Sequence, residues 1–92
     1  MEFEWDEGKR RSNLQKHGVD FAKASKIFRK ETVDFEDTRD YNEERYLAIG
    51  ETEGSILTVI YTYRHEKIRI ISARRASKNE KRIYYQSYLG GT

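Results

Sequence analysis

The run SILTVIYTYR, residues 55–64, is the strongest constraint in the chain, because as a strand it is apolar on both faces. Leu57, Val59, Tyr61 and Tyr63 fall on one side, and Ile56, Thr58, Ile60, Thr62 and Arg64 on the other. A strand of this kind is covered from both sides and belongs in the middle of a sheet. Its neighbours follow from short turn signals: Thr52–Gly54 joins it to a strand over Arg45–Glu51, and His65–Glu66 to one over Lys67–Arg75. Thr32–Glu36 is a short fourth candidate.

Before residue 30 the period is helical. Asp6 suits an N-cap, Glu7 to about His17 reads as a polar helix, and Gly18 suits the left-handed position after it. Asp20 caps a second helix whose Phe21, Ala24, Ile27 and Phe28 recur at three- and four-residue steps, an apolar stripe to lay on a sheet. Lys78–Tyr88 is helical again and stops at Gly90-Gly91. The expectation is an α+β chain: two N-terminal helices, an antiparallel meander, and a C-terminal helix.

Ninety-two residues make a single domain, residues 1–92, with a thin core. The chain has no cysteine, which excludes a disulfide scaffold and fits a reducing compartment. No apolar run approaches the roughly 20 residues that span a bilayer, and the acidic start MEFEWDE does not read as a signal peptide, so the expected location is cytoplasmic with no membrane partner. The net charge of +2 conceals segregation. Residues 9–30 carry eight bases against Asp20, residues 31–54 nine acids against Arg39 and Arg45, and residues 64–82 eight bases against Glu66 and Glu80. If the two basic blocks converge they form a patch for phosphates, with the acidic segment around Asp34–Glu44 turned away. In a regular strand over 67–75, Ile68, Ile70, Ser72 and Arg74 share one face and Arg69, Ile71, Ala73 and Arg75 the other.

Three separated stretches, FEWDEGKRRSNLQKHGVDF, RYLAIG and YTYRHEKIRIISARRASKNEKRIYY, together resemble the BrnT family of bacterial type II toxins over nearly the whole chain. The resemblance implies a RelE-like fold and a cytosolic ribonuclease that arrests translation. It also implies a BrnA-like antitoxin with a ribbon-helix-helix domain, likewise the only route to DNA, in a tight complex expected to be a hetero-tetramer.

The residues themselves say how such a surface could cut RNA. No carboxylate cluster has metal-ligand spacing and there are only two histidines, so no metal or other cofactor is expected. Cleavage without a metal needs an aligned 2′-hydroxyl, cations on the phosphate oxygens and a proton carrier. Arginine suits the second task because its planar fork binds two oxygens and stays charged. RelE-like toxins are similar to this scheme in using basic side chains and an aromatic of the last helix, and the matching positions are Arg64, Arg69, Arg74 and Tyr84.

Arg64 lies in the matching YT-x-R motif and Arg74 closes ISAR; these two, Tyr84 and His17 are the catalytic candidates. Arg64 could instead pair with a surface carboxylate, and Tyr84 could simply bury its ring. Lys9, Asn13 and His17 match the family pattern K-x3-N-x3-H-G and line one helix stripe. His17 could shuttle a proton or cap its own helix; Asn13 leans to a structural role. Lys9, Asn13, Arg69 and Arg75 are the RNA-binding candidates, although Arg69 could equally be an edge-strand charge that deters aggregation. Two other functions remain open: an RNA-binding module without chemistry, and a co-repressor whose task is to hold the antitoxin.

Overall fold

A computed structural model describes residues 1–39 and 43–88. The first element is one that periodicity did not announce: Phe3–Trp5 forms a strand, β1, lying parallel to the fifth strand with Phe3 opposite Ile68 and Trp5 opposite Ile70. Its F-E-W alternation sends Phe3 and Trp5 toward the core and sets Glu4 beside Arg69. The sheet is therefore mixed rather than purely antiparallel, a correction to the expected meander. Three residues are too few to display a period.

The local signals at the following helices hold. In α1, Glu7–His17, the Asp6 carboxylate accepts the Lys9 N–H at 2.9 Å, and Gly18 takes φ 69° while donating its N–H to Leu14 O. Asp20 accepts the Ala22 N–H and starts α2, Phe21–Ala24, which then tightens into a 3₁₀ turn over Ser25–Arg29. At that transition the Ser25 hydroxyl donates to Ala22 O, a local bond that competes with continued α-helix. The turn is pressed onto the sheet. A Cβ on Gly50 would lie 2.9 Å from both Ile27 Cβ and Thr32 Cγ2, so only glycine lets the strand approach this closely.

Strands β2 (Val33–Asp37), β3 (Arg45–Thr52), β4 (Ser55–Arg64) and β5 (Lys67–Arg75) complete a five-stranded sheet in the order β1-β5-β4-β3-β2. β4 is central, as its two-sided apolar pattern requires. One face packs Ala48, Leu57, Val59, Tyr61, Ile68, Ile70 and Ala73 against Val19, Phe21, Ala24 and Ile27. On the other, the last helix, α3 (Lys78–Tyr88), lays Ile83 and Tyr84 on a smaller cluster of Ile49, Ile56 and Ala76. The expected stop at Gly90-Gly91 lies outside the described residues.

β5 departs from regular alternation. Ile60 pairs with Ser72 but Tyr61 with Ile70, so Ile71 is an extra residue, a β-bulge. The expected faces are corrected accordingly. Ile68 and Ile70 share the large core with Ala73, one position out of phase, while Ser72 and Arg74 stand opposite Ile60 and Thr58 on the side where Arg69 faces Thr62. Arg74 and Arg75 still point opposite ways. No described helix is long and apolar enough to cross a membrane.

Candidate functional site

The bulge lies beneath the end of α1, and the two basic blocks meet there. β1 accompanies β5 only as far as Ile70, which leaves the outer backbone edge beyond it open. Asn13 fills that gap: its Nδ2 donates to Ala73 O at 2.8 Å and to Val19 O at 3.0 Å, and its Oδ1 accepts the Ala73 N–H at 3.1 Å. The residue is 7% exposed, and its side chain acts as a short substitute strand. Of the helical stripe, Asn13 faces inward to the sheet. Lys9 and His17, one turn to either side, are exposed and line a depression of about 260 Å³ with Ser12, Lys16, Ile71 and Ser72.

A second depression of about 500 Å³ adjoins the first and shares His17, Ile71 and Ser72 with it. Its floor is apolar, formed by Leu47, Ile60 and Ile71, and its rim carries Arg39, Arg45, Arg74 and Asp37. Together the two make one groove over the bulge. Asp37, from the acidic segment expected to turn away, is in it. Arg39 grips that carboxylate through Nε and Nη2 at 3.0 and 2.8 Å, and this pairing holds the Asp37 acid below its usual range.

Arg74 reaches the groove under restraint. Its Nη1 and Nη2 bond the two oxygens of Glu80 at 2.7 and 2.9 Å, a two-pronged ion pair in which the Arg74 side chain stays 37% exposed and that of Glu80 only 16%. Thr58 Oγ1 also donates to Glu80 at 2.9 Å. The guanidinium above all, then the Ser77 N–H and the Thr58 hydroxyl, pull the Glu80 acid down to about 2 against the opposing effect of burial. The same contact raises the pKa of Arg74 further.

Residues 5–80 match the family model described as "Ribonuclease toxin, BrnT, of type II toxin-antitoxin system". The chain belongs to this BrnT family. It is thereby a ribonuclease-type toxin, and a type II system implies an antitoxin partner. No curated protein matches the chain. The BrnT match contains Lys9, Asn13, His17 and the arginines of β4 and β5, ends on Glu80, and stops short of Tyr84.

The remaining candidates stand apart from the groove. Arg64 lies at the hairpin end of β4 opposite Lys67, six residues from the Thr58 that faces Arg74, which is roughly 20 Å of strand. Arg69 is tied to Glu4 at 2.7 Å across β1 and β5, and this bond holds the Glu4 acid below its ordinary value. Arg75 lines a separate hollow with Gly54, Ser55, Ile56, Lys81 and Tyr85. Tyr84 packs in the smaller cluster, its ring 4.9 Å from that of Tyr88, and burial raises its pKa.

The groove also holds residues that motif reading missed: Ser12, Lys16, Arg39, Arg45 and the bulge residue Ile71. Alternation alone would have placed Arg45 with Leu47 on one face of β3. Chemically, the arrangement offers guanidinium and ammonium groups for phosphate, an exposed imidazole between them, and an apolar floor wide enough for a base. Among the described residues, no three His, Cys, Asp or Glu side chains cluster so as to hold a metal.

Proposed function

We propose that this BrnT-family chain is a cytoplasmic endoribonuclease that cuts RNA without a metal and arrests translation, silenced by a BrnA-like antitoxin carrying a ribbon-helix-helix domain. The observation that supports this most is the placement of Lys9 and His17 of α1 opposite Arg74 of β5 along a single groove. In this reading a nucleotide rests on Leu47, Ile60 and Ile71. Lys9 and the arginines of the rim hold the flanking phosphates, and Arg74 meets the charge that grows on the scissile phosphate. His17 takes the proton of the 2′-hydroxyl as that oxygen bonds to phosphorus and the bond to the 5′-oxygen breaks, and the departing oxygen takes a proton from water. Arg64, Arg69 and Tyr84 then act on RNA outside the groove, and Arg75 from its own hollow. The antitoxin covers the groove, and its dimer doubles the complex into a hetero-tetramer.

The test compares wild type with Arg74→Lys in single-turnover cleavage of RNA in the presence of a chelator, beside a binding isotherm at fixed salt. Cutting slows about 100-fold while affinity changes little, because lysine keeps the charge but not the fork. Equal rates remove Arg74 from the chemistry, and cleavage abolished by the chelator removes metal independence. The Arg74–Glu80 pair favours a second reading, an RNA-binding module without chemistry, since it already satisfies two of the donors that a phosphate would use. A wild-type chain that binds RNA and cuts none selects it.

A further inference from the structure

Glu80 stands where three parts of the chain meet. Its Oε1 accepts from the Ser77 N–H at 2.8 Å, from Thr58 Oγ1 at 2.9 Å and from Arg74 Nη1 at 2.7 Å, while Oε2 accepts from Arg74 Nη2 at 2.9 Å. Ser77 Oγ in return accepts the Glu80 N–H at 3.1 Å, so Ser77 and Glu80 form a capping box that opens α3. A capping box needs only the backbone N–H. Starting a helix does not call for a strand arginine on the same carboxylate, nor for a β4 hydroxyl beside it.

The geometry explains what that extra bond does. A guanidinium carries five N–H donors, and the fork to Glu80 takes one edge of it. Nη1 has a further, longer contact to Arg75 O at 3.4 Å, which adds restraint without involving Nε. The rest of the group remains at the rim of the groove with Ser72 and His17. A free arginine side chain must lose its rotamer freedom before it can meet a phosphate, whereas one already held by a half-buried carboxylate has lost it in advance.

Building on the ribonuclease reading above, we infer that Glu80 is a positioning residue: it grips one edge of Arg74 and presents the other to the RNA phosphate. The ion pair also reduces the net charge that RNA meets. The expected signature is therefore a split: without the carboxylate charge, RNA binds as tightly or more tightly and is cut more slowly. A purely structural contact has no reason to move the two in opposite directions.

Single-turnover rates and RNA affinities of wild type, Glu80→Gln, Ser77→Ala, Arg74→Ala and the Arg74→Ala/Glu80→Gln double variant decide the matter. Glu80→Gln cuts about tenfold more slowly, with affinity equal to wild type or up to about fivefold tighter from the added net charge. Ser77→Ala loses half of the capping box but keeps the fork, so it lowers stability and leaves the rate unchanged. In the Arg74→Ala background Glu80→Gln adds no further loss, because it acts through that arginine. A wild-type rate for Glu80→Gln, or losses that multiply in the double variant, overturns the positioning role while the ribonuclease reading stands. Wild type that cuts no RNA overturns both.

Discussion

The side chain of Asn13 hydrogen-bonds both the N–H and the C=O of Ala73, sixty residues away in the chain. It thus performs for one residue of β5 what a sixth strand would otherwise do. Asn13→Ala leaves two buried backbone groups and Val19 O without this partner, and the cost is about 2–4 kcal/mol. Asn13→Asp is no remedy at neutral pH, since a carboxylate would face the Val19 and Ala73 carbonyls that the amide now serves. Urea denaturation of the two variants measures both effects; an Asn13→Ala midpoint equal to that of wild type would show that water replaces the amide without loss.

Acid should weaken the fold in a defined window. The Glu80 acid is pulled from 4.5 to about 2 in the folded chain, so its stabilising contribution is complete above pH 4.5 and is lost as the pH falls toward 2. Asp20 and Asp37 are shifted in the same direction and add to the trend. For Glu80 the full effect is on the order of 3 kcal/mol. Urea midpoints at pH 7, 4 and 2.5 should fall more steeply for wild type than for Glu80→Gln, and parallel curves would contradict the assignment.

The β4–β5 hairpin can be improved. Its turn residues His65 and Glu66 have φ values of 54° and 63°, a left-handed pair that side chains other than glycine and asparagine adopt at a cost. His65→Asn with Glu66→Gly matches the preferred chemistry of such a two-residue turn and raises stability by about 1 kcal/mol, or roughly 4–8 °C in melting temperature. Calorimetry checks it.

Gly50→Ala should do the reverse. The added methyl meets Ile27 Cβ and Thr32 Cγ2 at 2.9 Å, and relief requires β3 and the 3₁₀ turn to separate at a cost of about 1–3 kcal/mol. A midpoint within error of wild type would mean that the turn moves freely.

Legibility in the sequence followed range. Asp6, Gly18 and Asp20 were readable because a cap is decided within four residues. The central place of β4 was readable because both its faces are apolar over ten residues. β1 was not, since Phe3–Trp5 is a strand only through β5, more than sixty positions on. Asn13 looked like part of a surface stripe because Lys9 and His17 share its spacing, and nothing local reveals an open strand edge beneath it. The bulge carries no glycine to announce it; Ala73 facing the large core is what requires it. Arg74 and His17 were singled out from motifs, but the carboxylate that grips Arg74 was overlooked although Ser77 and Glu80 stand three apart, a pattern visible without coordinates.

The extra residue at Ile71 also limits how this surface can change over generations. Side chains of a strand alternate strictly, so no exchange of one amino acid for another can carry the guanidinium of position 74 to the opposite side of the sheet. Losing one codon between Ile70 and Arg74 would remove the bulge but not the arrangement, because plain alternation over one residue fewer again sets Ala73 in the core and Arg74 beside the groove. A strand one residue shorter at this point would present its arginine to the same side as Arg74, so the side of the sheet is set by residue count and bulge together and not by either alone.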